Sequence, residues 1–292
     1  MVAAPAGGVR RPNFFLVGAP RSGTTAMYSL LKQHPEVYLA ILKEPHFFGT
    51  DLTIQPHTIR EPDLYLGLFA DAGDRKCVGE GSVWYLSSTR AAQEIREFSP
   101  GAKILALLRE PAEMAYSLYH LYRRTGNEDL PSFEVALAAQ DDRREGRGIP
   151  ERAYFPEGLQ YVEAARAADK VERFFAAFGR EQVEVVLFED FRRDNARIYR
   201  KVLEFLEIDP GFVPELDPAR AAERIREIAV RQLRRTNPRV RRRMSREGIK
   251  QHASPPREPL PPELRARLRA IFRTDVARLG ELLGRDLSHW SA

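Results

Sequence analysis

The chain has 292 residues, 43% apolar and 30% charged, with a formal net charge of +5 that rests mostly on arginine, the composition of a soluble globular protein drawn to anionic ligands. No run approaches the roughly 18 apolar residues of a membrane span, and the first twelve residues lack the apolar core of a signal peptide. The single cysteine, Cys77, excludes an intramolecular disulfide and reads as an inert buried thiol, so a cytoplasmic protein is expected.

Residues 1–12 are expected to be disordered or loosely held, and 13–292 to form one domain. Phe14 to Val17 is an apolar run of strand type. Gly18 to Gly23 is a tight loop, and from Thr24 the apolar residues Met27, Leu30 and Leu31 recur at helical spacing. Strand, glycine loop and helix together aim backbone N–H groups and the positive end of a helix dipole at one spot, where a phosphate can sit. Gly18 and Gly23 have the separation of a Walker loop, but Thr24 stands at the lysine position and Arg21 supplies a cation from inside the loop. Ser22, Gly23, Thr24 and Thr25 complete this candidate anion cradle, with Arg21 placed to meet the terminal anionic group of a nucleotide.

Val37 to Ala40 reads as a second strand leading into Lys43-Glu44-Pro45-His46-Phe47-Phe48, where an ammonium, a carboxylate and an imidazole precede two aromatics. Pro45 forbids an ordinary helix there. Thr50 to Arg75 looks like loop, with Pro56, Pro62, Gly67 and Gly73 as breakers and Tyr65 and Phe69 as a cover. Cys77 to Leu86 reads as a strand that ends in a turn carrying Glu80, Ser82 and Trp84, the tryptophan either stacking on a base or a sugar or sitting in the core. Lys103 to Leu108 reads as a central parallel strand, followed by Arg109 and by Glu110-Pro111 opening a helix that bears Ser117. Arg109 with Ser117 makes a second anion cradle; a plain salt bridge from Arg109 is the alternative.

One helix is expected between Arg123 and Arg152, and a helical period from Leu159 to Phe178 stops at Gly179. Val183 to Phe188 is another strand, followed by Glu189-Asp190, and Ile198 to Leu206 another helix. The cluster from Arg231 to Arg246 reads as a solvated helix face, a rim for an anionic nucleotide or a nucleic-acid patch. The stripe from Leu264 to Leu283 is a last long helix ended by Gly284. Such alternation predicts an α/β single domain with a mostly parallel, doubly wound sheet flanked by helices.

An arginine-bearing phosphate loop, an arginine–serine pair after a central strand and an acid–base loop between them suit a donor with phosphate at two points. The sequence resembles the sulfotransferases that use 3′-phosphoadenosine 5′-phosphosulfate (PAPS), with their P-loop-NTPase-like fold. Gly18 to Thr25 is similar to the family's 5′-phosphosulfate loop, with Arg21 where many members have lysine. Arg109 and Ser117 are similar to its 3′-phosphate pair, and Lys43 to Phe48 to the acceptor-side motif of bacterial and heparan-type members, whose glutamate is taken as the base. Gly79 to Leu86 is similar to a further segment in which lysine often stands at the position of Gly81. Phe188 to Phe191, Val202 to Leu206 and Leu287 to Trp290 extend the resemblance over about Phe14 to Trp290.

The resemblance implies in-line sulfuryl transfer from PAPS to a hydroxyl or amine of a carbohydrate or small-molecule acceptor, leaving adenosine 3′,5′-bisphosphate. It implies Glu44 as base, His46 as second choice, Arg21 on the leaving phosphate and Lys43 on the sulfuryl oxygens, with no metal, no nucleic acid and no membrane span. A phosphotransferase using ATP and magnesium through Glu189 or Asp190, and a non-catalytic nucleotide or nucleic-acid binding protein, remain as alternatives.

Overall fold

A computed structural model describes residues 10–54, 58–235 and 258–291. Its sheet has five parallel strands in the order β2-β3-β1-β4-β5: β1 (Phe14–Gly18), β2 (Val37–Leu39), β3 (Cys77–Gly81), β4 (Lys103–Leu108) and β5 (Val183–Leu187). Phe14 aligns with Gly79 on one side and Lys103 on the other, which makes β1 the middle strand.

Side chains alternate across a strand, so β1 feeds two cores. Phe14 and Leu16 pack with Met27 and Leu31 of helix α1 (Thr24–Leu31), whereas Phe15 and Val17 face the larger core on the opposite side. That larger core takes in Tyr65 and Leu66 of α2 (Pro62–Gly67), Ile95 of α3 (Ala91–Phe98) and Leu118 of α4 (Pro111–Thr125). It continues through α5 (Phe133–Ala138), past α6 (Gln140–Arg144), which buries only Arg143, to Tyr161 of α7 (Tyr161–Ala165) and Phe174 of α8 (Ala168–Phe178). On the first face lie α9 (Phe188–Arg193) and α10 (Asn195–Phe205), with Val202 and Leu203 buried. Helices α11 (Pro218–Arg235) and α12 (Pro262–Leu283) follow, the latter ended by Gly284 in the left-handed conformation, as the periodicity predicted.

Three local expectations change. The stretch read as loop from Thr50 to Arg75 contains α2, because Pro62 stands at the first helical position, where its missing N–H costs nothing. Between Arg123 and Arg152 two short helices form after α4 instead of one, the first capped by Ser132 through Val135 N–H. The helix predicted up to Phe178 is broken at Arg166 and Ala167, where the Asp275 carboxylate from α12 accepts the N–H groups of Ala167 (2.9 Å) and Ala168 (3.2 Å). Cys77 is buried and unpaired in a disulfide, its thiol pushed up by burial. Trp84 is 1% exposed and packs on Phe155, the core outcome of the two expected. The basic cluster lies largely outside the described residues: the side chains of Arg231, Arg234 and Arg235 and all of 236–246 are not among them.

Candidate active site

All five strands being parallel, their C-terminal ends share one edge, and the loops that leave them converge there. From β1 comes the glycine loop. The Ala19 N–H donates to Leu107 O of β4 (2.6 Å), and Ser22, fully buried, donates to Pro20 O (3.3 Å). Gly23 has φ 85°, and a Cβ there would lie 2.9 Å from the Phe188 ring, so no other residue fits without displacement. Helix α1 then starts with no side-chain cap and no acidic residue in its first turn; Thr24 is buried and Thr25 exposed. The positive end of this helix therefore faces the loop with no acidic side chain of its own first turn on it.

Arg21, itself at φ 61°, donates from Nε to Ser117 Oγ of α4 (3.1 Å). Arg109, leaving β4, donates from Nη1 to Arg21 O (3.3 Å) and lies 4.8 Å over the Phe188 ring. The two cradles inferred separately thus adjoin. Arg109 also pairs with Glu113 (3.0 Å), so the salt bridge offered as the alternative is formed. Glu110 and Glu113 are bound in turn by Arg265, and Glu110 by Arg269 (2.9 Å), which ties the start of α4 to α12.

From β2 comes the acid–base loop. Glu44 N–H donates to Gly81 O of β3 (2.9 Å) and Pro45 O accepts Ile59 N–H (2.8 Å). Lys43 Nζ lies 2.7 Å from Glu44 Oε1, and His46 Nε2 lies 3.6 Å from Glu44 Oε2. Glu44 is 34% exposed while His46 is 2% exposed. Burial pushes the Glu44 carboxyl up, but the Lys43 ammonium and the His46 ring outweigh it, and the group is held well below the usual carboxylate range. Among the described residues, four non-glycine positions have left-handed φ, and three of them are Arg21, Glu44 (64°) and His46 (48°); the fourth is Glu207. Such backbone costs about 1–3 kcal/mol per residue and gathers at functional sites.

Sequence reasoning placed Glu80 and Ser82 in a turn and gave them no task. Glu80 is fully buried, and its carboxylate accepts hydroxyls from Ser82 (2.8 Å), Tyr85 (2.7 Å) and Tyr65 (3.3 Å). A carboxylate between two glycines of a strand buried on both faces was the available signal. Gly81 is explained by Tyr28, whose ring would lie 3.0 Å from a Cβ there; the aromatic takes the space a lysine stem would need. Tyr154 and Tyr122 were also underused. Burial first, and then for Tyr154 the charge of Glu44, raises their phenols, and their rings pack edge to face with centroids 5.9 Å apart.

Of the acidic pair named for magnesium, Glu189 Oε1 accepts Glu110 N–H (3.2 Å), and Asp190 pairs with Arg193 (2.9 Å) and Arg285 (3.0 Å). Among the described residues no group of three or more His, Cys, Asp or Glu side chains is arranged to hold a metal ion. No described helix is long and apolar enough to cross a membrane.

A five-stranded parallel sheet thus gathers an arginine-bearing glycine loop, an adjoining arginine–serine pair and a carboxylate loop at one edge. Residues 11–280 match the sulfotransferase domain, and the chain belongs to the sulfotransferase family. A sulfotransferase from Alicyclobacillus acidocaldarius shares 32% of its sequence with the chain, with a TM-score of 0.78 over 97% of this chain and 100% of that one. Carbohydrate sulfotransferase 15 of Rattus norvegicus is 31% identical over 251 residues, which span 68% of this chain and 44% of the relative. The bifunctional heparan sulfate N-deacetylase/N-sulfotransferase 3 of Homo sapiens is 26% identical over 210 residues, 70% of this chain and 23% of the relative. The chain thus spans less than half the length of these two relatives.

Proposed function

We propose that the chain transfers a sulfuryl group from PAPS to a hydroxyl or amine of a carbohydrate or small-molecule natural-product acceptor. The observation that supports this most is the contact of Arg21 with Ser117 and Arg109 on the strand edge that also carries Glu44. Two permanent guanidinium cations, a hydroxyl and an uncapped helix start suit a ligand with two separate anionic ends. The names of the curated relatives favour a carbohydrate acceptor.

When bound, PAPS supplies the sulfuryl group and leaves as adenosine 3′,5′-bisphosphate. Arg21, Ser22, Gly23, Thr24 and Thr25 hold its 5′ side, and Arg109 with Ser117 its 3′-phosphate. Glu44 takes the acceptor proton as the acceptor's oxygen or nitrogen bonds to sulfur; its depressed pKa keeps it ionised at neutral pH, and its basicity rises as Lys43 turns away from it. His46, 3.6 Å away, is the second choice for that role. Arg21 neutralises charge that gathers on the leaving phosphate oxygen, and Lys43 turns from Glu44 to the sulfuryl oxygens.

Two measurements test the reading. Adenosine 3′,5′-bisphosphate without metal stabilises the protein against heat, whereas ATP with magnesium does not; at a hundredfold excess over Kd the gain is about 2.7 kcal/mol. Radiolabelled donor then delivers label to heparan-type oligosaccharides or to phenols. Stabilisation by ATP with magnesium alone overturns the assignment in favour of phosphoryl transfer.

A further inference from the structure

The loop that bears Glu44 and His46 is held by hydroxyls, and the hydroxyls are held by Glu80. His46 N–H donates to Ser82 Oγ (3.1 Å), and that hydroxyl donates onward to Glu80 Oε2. Phe48 N–H donates to Tyr85 Oη (3.2 Å), which donates onward to Glu80 Oε1. Tyr65 Oη, from α2, supplies a third donor. An ionised carboxylate offers acceptors only, so it draws both hydroxyl protons toward itself and leaves both oxygens open to the loop amides. A neutral acid or an amide at this position presents a donor of its own, and one relay loses its polarity.

We infer that Glu80, in its ionised form, is the positioning residue that sets the backbone of residues 46–48 and thereby the aim of Glu44 and His46. Nothing in the transfer chemistry touches Glu80 itself; it acts through Ser82 and Tyr85. The inference rests on the Glu44 loop being the acceptor side of the site, as proposed above.

The groups facing Glu80 are Tyr65 from α2, Tyr85 and Ser82 from the turn after β3, Tyr28 from α1 and the more distant carboxylate of Glu44. Burial raises the Glu80 carboxyl from its ordinary value to about 7; the three hydroxyls pull the other way, and Glu44 adds to the rise. Protonation of Glu80 therefore falls within the working pH range, whereas Glu44 stays ionised throughout it.

The test compares wild type, Glu80→Gln and Tyr85→Phe in steady-state turnover between pH 5.5 and 8.5. A displacement of about 1 Å at a reacting group costs on the order of a hundredfold. Wild type is expected to show a rise in kcat centred near pH 7; Glu80→Gln is expected to lose that rise, to lose about tenfold to a hundredfold in kcat and to keep its Kd for adenosine 3′,5′-bisphosphate within twofold. Tyr85→Phe, which keeps the carboxylate and cuts one relay, loses kcat to a smaller degree and keeps that rise; it decides the matter if Glu80→Gln does not fold. A kcat within twofold of wild type in the folded variants, or an unchanged pH profile in Glu80→Gln, overturns the inference. Glu44→Gln is run alongside: full turnover there sinks the base assignment, while full turnover in the Glu80 and Tyr85 variants alone sinks the relay.

Discussion

Arg21 sits at left-handed φ between Pro20 and a buried serine, and its guanidinium reaches across to α4. A residue that tolerates this conformation only at a cost is kept where its side chain is needed. Arg21→Ala relieves the contact with Ser117 but leaves both cores intact, so turnover should fall about a hundred- to a thousandfold, the usual loss of one transition-state donor, with the thermal midpoint nearly unchanged. Near-normal turnover takes Arg21 out of the mechanism. Glu44→Gln should nearly abolish turnover without weakening bisphosphate binding. If His46→Ala does so and Glu44→Gln does not, the proton goes to the imidazole.

At the scale of elements, β4 and α4 act as one unit, because Arg109 at the strand end is clasped by Glu113 and the helix start is clasped by Arg265 and Arg269 of α12. Arg109→Ala should weaken binding of adenosine 3′,5′-bisphosphate more than that of the analogue without a 3′-phosphate; equal losses in titration calorimetry argue against Arg109 reading that phosphate. β1 and β4 were legible because each is a short apolar run that ends at a glycine or an arginine, and the loop and the Lys43–Phe48 segment because their residue types carry chemistry at short spacing. What spacing along one chain does not carry is a contact made from far away. Asp275 caps α8 from more than a hundred residues downstream and splits a period that reads as continuous. Glu80 is likewise explained only once α2 and the turn after β3 close around it. Asp275→Ala leaves two buried amides without an acceptor and should cost about 1–2 kcal/mol, read as a shift in the urea midpoint at constant m.

Across the whole molecule, the carboxylates among the described residues include two whose charge folding favours and one, Glu80, whose charge it does not. Glu128 is fully buried against Arg143 (2.6 Å) with Tyr161 as a further donor (2.7 Å); burial works against its charge, but these partners win and its carboxyl is held low. Glu44 is held low as well. Both contribute stability that is present above the ordinary carboxylate value and lost as pH falls below about 4.5. Glu80 has the opposite sign. Its folded value of about 7 lies above the ordinary 4.5, so its contribution is complete below pH 4.5 and is lost as pH rises through about 7. That shift corresponds to about 3 kcal/mol. The carboxylate that aims the acid–base loop therefore costs stability in the state where it does so. Glu80→Gln removes the titration, so the difference in unfolding free energy between wild type and this variant should move against wild type by about 2.5 kcal/mol from pH 5 to pH 8 in urea titrations with equal slopes. A difference that stays constant across that range means Glu80 remains in one protonation state, and the ionised relay then has no neutral counterpart to switch from.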